Sequence, residues 1–232
     1  AIANDSGGFD QVDAVLAESE QRLAGSGAVL ARIIDNHDTT RFISEAVGDA
    51  GGDPWLSPAA QPEDATPYRR TALALAITFT LPGIPVLYQG DEIGLAGASD
   101  PDNRRVMPAT LSDPQAELAA TVERLGALRR CSRALRHGDR QAVHVTKATY
   151  AYRRTLTDEA DEALVVISAA TAASDVPVAL GGETWIDAMT GESFAGDSVA
   201  LPALSFRGLL PAGHACMQCR PRQQRQSQRA KE

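Results

Sequence analysis

The residues of this chain best suited to chemistry form a short polar run near its N-terminus, residues 35–38. Two carboxylates, an amide and an imidazole occupy these four consecutive positions. Such groups can hold hydroxyl groups through paired donors and acceptors, and the Asp38 carboxylate could stabilise positive charge that develops on a reacting carbon. Asn and Asp are also ordinary turn residues, so composition alone leaves a capped turn after a strand as an equal alternative.

Apolar runs place this polar run and a second turn at the ends of two predicted strands. Residues 29–34 are an apolar run and predict a buried strand that delivers the polar side chains at its C-terminal end. Residues 84–88 predict a second buried strand, followed by a turn at residues 89–94. In barrel enzymes the chemistry lies at the C-terminal ends of strands, so these two turns are the candidate site.

Helical patterns alternate with these strands. Apolar spacing predicts helices over Phe9–Leu23, residues 68–81 and residues 114–130, while residues 49–67 are rich in Gly, Pro and Asp and predict a loop. The alternation of helices with short, almost continuously apolar strands is typical of a parallel α/β structure whose sheet is covered on both faces.

The pattern changes near Gly138, where we expect a domain boundary that separates residues 1–138 from residues 139–212. Short runs rich in β-branched and aromatic residues follow, separated by turn residues, and predict an antiparallel β-sandwich. These runs are residues 141–147, 150–156, 163–168, 176–180 and 204–210. Residues 213–232 have almost no apolar content and predict a disordered basic tail.

Composition and charge restrict the partners that this chain is expected to bind. The 232 residues are 44% hydrophobic and 22% charged, and no apolar stretch is long enough for a transmembrane helix. Without the last seventeen residues, 17 Lys and Arg face 29 Asp and Glu. An acidic body argues against nucleic acid as a partner, and no membrane segment or signal peptide is visible. The compartment stays open, with the cytoplasm slightly favoured.

The cysteines do not predict a metal or redox centre. Cys216 and Cys219 form a CxxC motif, but there is no second such motif, no suitably spaced His pair and no βαβ context around it. The expectation is therefore a chance pair in the disordered tail, with no metal site.

Three strings, in this order and spacing, carry a resemblance to a known family: NHDTTRF at residues 36–42, LPGIPVLYQGDEIG at residues 81–94 and DPDNRR at residues 100–105. They resemble the fourth conserved region, the last barrel strand with its turn, and the following loop of the α-amylase family of retaining glycoside hydrolases. The resemblance covers roughly residues 9–130. It implies the C-terminal portion of a (β/α)8 TIM barrel, with residues 29–34 and 84–87 as the seventh and eighth strands, followed by an antiparallel β-sandwich domain.

The resemblance also implies roles for particular side chains. Asp38 matches the carboxylate that binds ring hydroxyls and favours the distorted sugar, and His37 matches the imidazole that donates to the same ring. Arg104 and Arg105 either contact the sugar or form ion pairs with nearby Asp residues, and Arg105 is slightly favoured for the pocket. Trp55 is either a sugar-stacking platform or a buried loop anchor. The expected ligand is an α-glucan, a maltooligosaccharide or a sucrose-like sugar; no cofactor is expected, and calcium dependence stays open.

The sequence departs from the family where the reacting carboxylates should be. Retaining glycosidases use a nucleophile and an acid/base carboxylate about 5–5.5 Å apart, and neither family string that supplies them is present. Asp91 and Glu92 end a predicted strand, but we expect them to anchor their loop rather than to react. The chain is therefore expected to be an inactive fragment of an α-glucosidic enzyme, a hydrolase or a transglycosylase. The alternative is a non-catalytic protein that binds a sugar or a partner.

Overall fold

The computed structural model of the chain describes residues 2–4, 7–49, 53–157 and 161–218. Its first part, the α/β region (residues 2–137), contains five helices and two short strands among the described residues. In chain order these are α1 (Phe9–Leu23), β1 (Ala31–Arg32), α2 (Phe42–Val47), α3 (Ala65–Thr80), β2 (Ile84–Pro85), α4 (Asp113–Cys131) and α5 (Arg133–His137). Helix α1 has the predicted bounds, which its apolar spacing and the glycines after it explain.

The two strands of the α/β region pair in parallel, with Ala31 opposite Ile84. The backbone N–H of Ile84 donates to the carbonyl of Leu30 at 2.8 Å, which extends the pairing beyond the regular strand residues. Alternate side chains point to opposite faces. Ile34 and Leu87 pack against the core that contains α3.

The other face of this strand pair is exposed, which corrects the prediction of strands buried on both faces. Val29 is 65% exposed and Ile84 is 57% exposed, and Ile33 and Val86 are exposed beside them. We call these four side chains the open apolar face. A continuous apolar run predicts two covered faces, but local sequence contains no information on whether the second covering layer is present.

Helix α3 lies at the centre of the α/β region because it is apolar on nearly every side. Leu73, Leu75 and Ala76 have no exposed surface and belong to the main core, which also includes side chains of α1 and α4. Its last residue, Thr80, has its hydroxyl 2.5 Å from the hydroxyl of Tyr152 in the second part of the molecule. The helix therefore contacts both parts of the chain.

Arginines from three separate elements bind the carbonyl groups at the C-terminal end of α3. Arg129 of α4 donates to the carbonyls of Phe79 (2.7 Å) and Leu81 (3.2 Å). Arg32 of β1 donates to the carbonyl of Pro82 at 2.9 Å, and Arg154 donates to the carbonyl of Thr80. These carbonyls have no partners within the helix and carry its negative dipole end, so guanidinium groups stabilise them.

The second part of the molecule, the β region (residues 139–211), contains eight antiparallel strands in the portion that the structure describes. They are β3 (Asp139–Val145), β4 (Thr149–Thr155), β5 (Glu162–Ser168), β6 (Ser174–Pro177), β7 (Trp185–Asp187), β8 (Ser193–Phe194), β9 (Ser198–Leu201) and β10 (Ser205–Pro211). Six form one sheet in the order β3-β4-β5-β10-β7-β8, and β6 pairs with β9. Leu164, Trp185 and Val199 share an apolar cluster between the two sheets, while Tyr150 and Tyr152 join the core of the α/β region.

The expectation of a disordered tail from residue 213 is wrong for the part that the structure describes. Residues Ala215–Gln218 form a short helix, α6. Cys216 forms a disulfide with Cys131 at the end of α4, with Cα atoms 5.6 Å apart. Cys216 is therefore bonded to a residue 85 positions away rather than to its CxxC neighbour. Cys219 and the basic residues after it lie outside the described residues.

Among the described residues, none of the helices combines the length and the apolar character that crossing a bilayer requires.

Candidate functional site

The polar run after β1 folds into a tight turn, which we call the site loop (residues 36–40). The side-chain oxygen of Asn36 accepts the backbone N–H of Asp38 at 2.8 Å, and the backbone N–H of Asn36 donates to the Thr39 hydroxyl at 3.0 Å. These are the local bonds that make Asn and Thr good turn residues. The turn projects His37 and Asp38 outwards, with their side chains 59% and 71% exposed and their nearest polar atoms 3.3 Å apart.

Asp35 precedes the site loop but points into the protein. Its carboxylate accepts the backbone N–H of Phe42 at 2.7 Å, at the start of α2. Asp35 is buried, and burial raises the pKa of its carboxyl group above the usual value. Asp35 therefore has a structural role, and Asp38 is the exposed carboxylate of the predicted polar run.

Asp91, in the turn after β2, is buried beside Asp35. Burial and, secondly, the nearby Asp35 carboxylate raise the pKa of Asp91 to about 8. The guanidinium of Arg41 lies 3.2 Å from Asp91 and 4.0 Å from Asp35, and it stacks 4.0 Å from the centre of the Tyr88 ring. One arginine thus serves two carboxyl groups, and a shared proton at neutral pH balances the charge.

The turn after β2 is stabilised by its own acidic side chains. The Asp91 carboxylate accepts the backbone N–H of Tyr88 at 3.0 Å, and Glu92 accepts that of Gly90 at 2.8 Å. Gly90 has a φ of 100°, and a Cβ there would lie 2.8 Å from Leu95. These contacts agree with loop-anchoring roles for Asp91 and Glu92.

The two neighbouring arginines of the third string have different surroundings. Arg104 Nη2 lies 3.8 Å from the Asp38 carboxylate, and its Nε is 2.8 Å from Asp100. Arg105 instead pairs with Asp102 at 2.6 Å and donates to the carbonyl of Ala59 at 2.5 Å. The geometry therefore favours Arg104 over the predicted Arg105 as the arginine beside the site loop.

Asp102 joins two loops near the site. Its carboxylate accepts the backbone N–H groups of Ala59 (3.0 Å) and Ala98 (2.8 Å) as well as the guanidinium of Arg105. Burial alone would raise the pKa of Asp102, but these hydrogen bonds outweigh it and lower the pKa. The Asp102–Arg105 pair is therefore part of the loop structure.

Trp55 lies in a turn that Asp53 stabilises by accepting the backbone N–H groups of Trp55 and Leu56. The indole is 79% exposed, so the alternative of a buried loop anchor is wrong. Trp185, by contrast, is buried in the β region, and its indole N–H donates to the carbonyl of Leu180 at 3.1 Å.

Sequence reasoning missed two residues that hold the site loop in place. Asn103 is completely buried and donates to two carbonyls of the loop. Arg41 lies between the carboxyl groups of Asp35 and Asp91, a position that the sequence did not predict. Within the described residues, no group of three or more His, Cys, Asp or Glu side chains is arranged to hold a metal ion.

The chemistry available here is that of one exposed face of a site. His37 and Asp38 offer an imidazole and a carboxylate to solvent, and Arg104 adds a guanidinium beside them. Together these groups can exchange hydrogen bonds with several hydroxyl groups and place negative charge next to a bound molecule.

Residues 7–147 match the family model described as alpha amylase, catalytic domain. A cyclomaltodextrinase from Geobacillus thermopakistaniensis is 28% identical over 180 residues, which are 75% of this chain and 28% of that protein. Neopullulanase 2 from Thermoactinomyces vulgaris is 32% identical over 173 residues, 72% of this chain and 26% of that protein. The matched segments thus span little more than a quarter of the length of these two relatives.

Solved structures of alpha-amylases have a fold similar to that of this chain. An Anoxybacillus alpha-amylase superposes with a TM-score of 0.74 at 25% identity, over 90% of this chain and 44% of that one. The alpha-amylase from Geobacillus thermoleovorans, solved with acarbose, gives a TM-score of 0.73 at 22% identity, over 90% and 44% of the two chains. The second likeness is evidence of a shared fold alone.

Proposed function

Because this chain belongs to the alpha-amylase catalytic-domain family, we propose that it is the C-terminal part of a glycoside hydrolase or transglycosylase barrel that acts on α-glucosidic bonds. In this proposal β1 and β2 are the last two barrel strands, and the β region is the trailing β-domain. The proposal depends most on one observation: two parallel strands carry the family strings at their C-terminal ends, where barrel enzymes have their chemistry.

The proposed mechanism is a retaining one, in which a carboxylate nucleophile forms a covalent glycosyl–enzyme intermediate. Asp38 would bind ring hydroxyls as the third carboxylate and stabilise the positive charge of the oxocarbenium-like transition state. His37 would donate to the same sugar ring, and Arg104 would hold the Asp38 carboxylate in place from the side. The nucleophile and the acid/base carboxylate would come from barrel strands outside this chain.

The open apolar face supports the fragment proposal. Val29, Ile33, Ile84 and Val86 expose apolar surface on a sheet of two strands. Further strands and their side chains would bury this surface and complete the site. The isolated chain should then bind sugar weakly and should not cleave it.

The proposed substrate is an α-glucan or a maltooligosaccharide. The names of the relatives refer to cyclomaltodextrin and pullulan substrates, and one solved neighbour was crystallised with acarbose. A sucrose-like sugar is the second proposed substrate of the same mechanism. Hydrolysis and transglycosylation would differ in whether water or a sugar accepts the intermediate.

A turnover assay tests the proposal. The 232-residue chain is incubated with maltoheptaose, a cyclodextrin and sucrose, and the released sugars are quantified. We expect no turnover above background from this chain, and turnover of one of these substrates after the coding sequence upstream of Ala1 is added. In the extended protein, Asp38→Asn should lower kcat by at least about 10²-fold, as expected for the loss of a group that stabilises transition-state charge.

Two results would contradict the proposal. Turnover by the chain alone would show that it contains its own reacting carboxylates. Full activity of the extended Asp38→Asn variant would remove the proposed role of Asp38.

The competing candidate is a non-catalytic protein that binds a sugar or a partner. For the isolated chain this binding role is favoured by exposed groups that a ligand or partner could contact. These are His37, Asp38 and the open apolar face. Sugar binding by an extended protein without turnover would select this candidate.

A further inference from the structure

The side chain of Asn103 lies directly behind the site loop. It is completely buried in the short 3-10 turn Asp102–Arg104, in the loop that follows β2. Its amide nitrogen donates to the carbonyl of His37 at 3.0 Å and to the carbonyl of Thr39 at 2.8 Å. These two carbonyls stand on either side of Asp38, more than sixty residues away in the chain.

The chemistry of these contacts fixes the orientation of the amide. Backbone carbonyls can only accept, so the NH₂ group of Asn103 must face them. Its side-chain oxygen is left buried, with no hydrogen-bond partner among the described residues. A buried polar atom without a partner is unfavourable. The two donated bonds to the site loop are therefore the favourable interactions of this side chain.

Asn103 is itself held from the opposite side. Its backbone carbonyl accepts the Nε–H of Arg41 at 2.9 Å, and the backbone N–H of Arg41 donates to the carbonyl of Gly97 at 3.0 Å. A Cβ on Gly97 would lie 2.6 Å from the Cα of Asn103, so glycine permits this close approach. Through Arg41, Asn103 is connected to the buried carboxylates at the ends of both strands.

We infer that Asn103 is a positioning residue, which fixes the backbone on both sides of Asp38 and so holds the His37 and Asp38 side chains for a bound sugar. The part of this inference that concerns a bound sugar rests on the proposed function, whereas the positioning of the site loop does not. Without Asn103, the bonds that remain within the site loop are those of an exposed local turn. Catalytic and binding groups are sensitive to displacements of about 1 Å. The two hydrogen bonds from Asn103 should therefore affect how well Asp38 binds a sugar.

Amide hydrogen exchange by NMR on the full chain tests the positioning. The variants are Asn103→Ala and Asn103→Asp, which remove the donors, and the matched control is Thr71→Val. Thr71 is also buried, and its hydroxyl donates to the carbonyl of Pro67 at 2.9 Å within α3, so the control loses a buried bond elsewhere. Urea unfolding of each variant measures its global stability.

We expect the amides of Asp38 and Thr39 to exchange about tenfold or more faster in both Asn103 variants, since each buried hydrogen bond changes an opening equilibrium several-fold. Thr71→Val should leave them unchanged at a comparable loss of global stability. Equal exchange of these amides in the Asn103 variants and in Thr71→Val would overturn the inference.

The wild-type protein provides a second measurement in case the variants do not fold. The side-chain NH₂ hydrogens of Asn103 should exchange with solvent at least about tenfold more slowly than those of an exposed asparagine. The reason is that both hydrogens of Asn103 are buried and hydrogen-bonded. Exchange at the rate of an exposed amide would overturn the inference as well.

Maltotriose titration separates the inference from the proposed function. Shifts of the His37 and Asp38 signals in the wild type, with about tenfold weaker binding in Asn103→Ala and no weakening in Thr71→Val, would support both. Absence of binding by the wild-type chain would count against the sugar site, while the exchange measurements would still decide the role of Asn103.

Discussion

Asp35 and Asp38 follow the same strand and lie three residues apart, but Asp35 is buried and Asp38 is exposed. Asp38 is held in an exposed turn and contacts two other exposed, polar side chains, His37 and Arg104. Asp35 is buried with Asp91 and shares the guanidinium of Arg41. The carboxyl groups near the strand ends therefore have two functions: buried Asp35 and Asp91 fix the ends of the two strands, and exposed Asp38 is available to a ligand.

Replacing Arg41 with Met should have the largest effect on this arrangement. It would leave two buried carboxyl groups without a cation, and breaking a buried pair typically costs about 3–5 kcal/mol. Arg104→Met is the matched control, because Arg104 forms partly exposed pairs, which are worth at most about 1 kcal/mol. Urea unfolding at pH 7 measures both; similar losses for the two variants would refute the distinction between buried and exposed pairs.

The pH dependence of stability should identify the buried carboxyl pair. The pKa of Asp91 is about 8 in the folded protein against 3.8 for the ordinary side chain. The folded state therefore retains a proton that the unfolded state releases, so this contribution is complete below pH 4, falls as the pH rises towards 8 and is constant above 8. The decrease can reach about 1.4 kcal/mol per pH unit.

Asp91→Asn should remove most of this decrease. The measurement is the free energy of unfolding of both proteins from pH 5 to pH 9, compared as a difference. The carboxyl groups of Asp102 and Asp161, whose pKa values are lowered, contribute equally to both proteins and cancel. A constant difference across this range would show that Asp91 is ionised at neutral pH.

Asp38→Asn should have the smallest effect on stability of these variants, because the carboxylate lies at the surface. The carboxylate is 71% exposed, and substitutions at such positions usually change the free energy of unfolding by no more than about 0.5 kcal/mol. The same variant should lose the maltotriose-induced NMR shifts at His37. A destabilisation similar to that of Arg41→Met would mean that Asp38 is part of the structural network.

Local sequence patterns predicted most regular elements because those elements depend on local spacing. The apolar positions of α1 and the turn residues between β3, β4 and β5 are examples. Very short elements such as α2, β7 and β8 were missed, since two to six residues contain too little periodicity. The open apolar face was predicted as buried, because a sequence run does not show which layers surround it.

The sequence motifs of the candidate site could be recognised in advance, but the individual contacts between its side chains could not. Asp38 and His37 could be selected by residue type, whereas adjacent arginines of one type, Arg104 and Arg105, differ in their directions and partners. Asn103 and the disulfide between Cys131 and Cys216 depend on contacts between distant parts of the chain. Such contacts are created by tertiary packing, which residue spacing does not encode.

The arginines at the end of α3 have a consequence for how the molecule unfolds. Arg154 belongs to the β region and Arg32 to β1, yet both bind carbonyls within three residues of one another, directly before β2. Loss of the β region would remove the Arg154 guanidinium from the Thr80 carbonyl and so loosen the segment that leads into β2. We therefore expect that the boundary predicted at Gly138 does not divide two independent folding units, and that heat or denaturant melts both regions in a single cooperative transition.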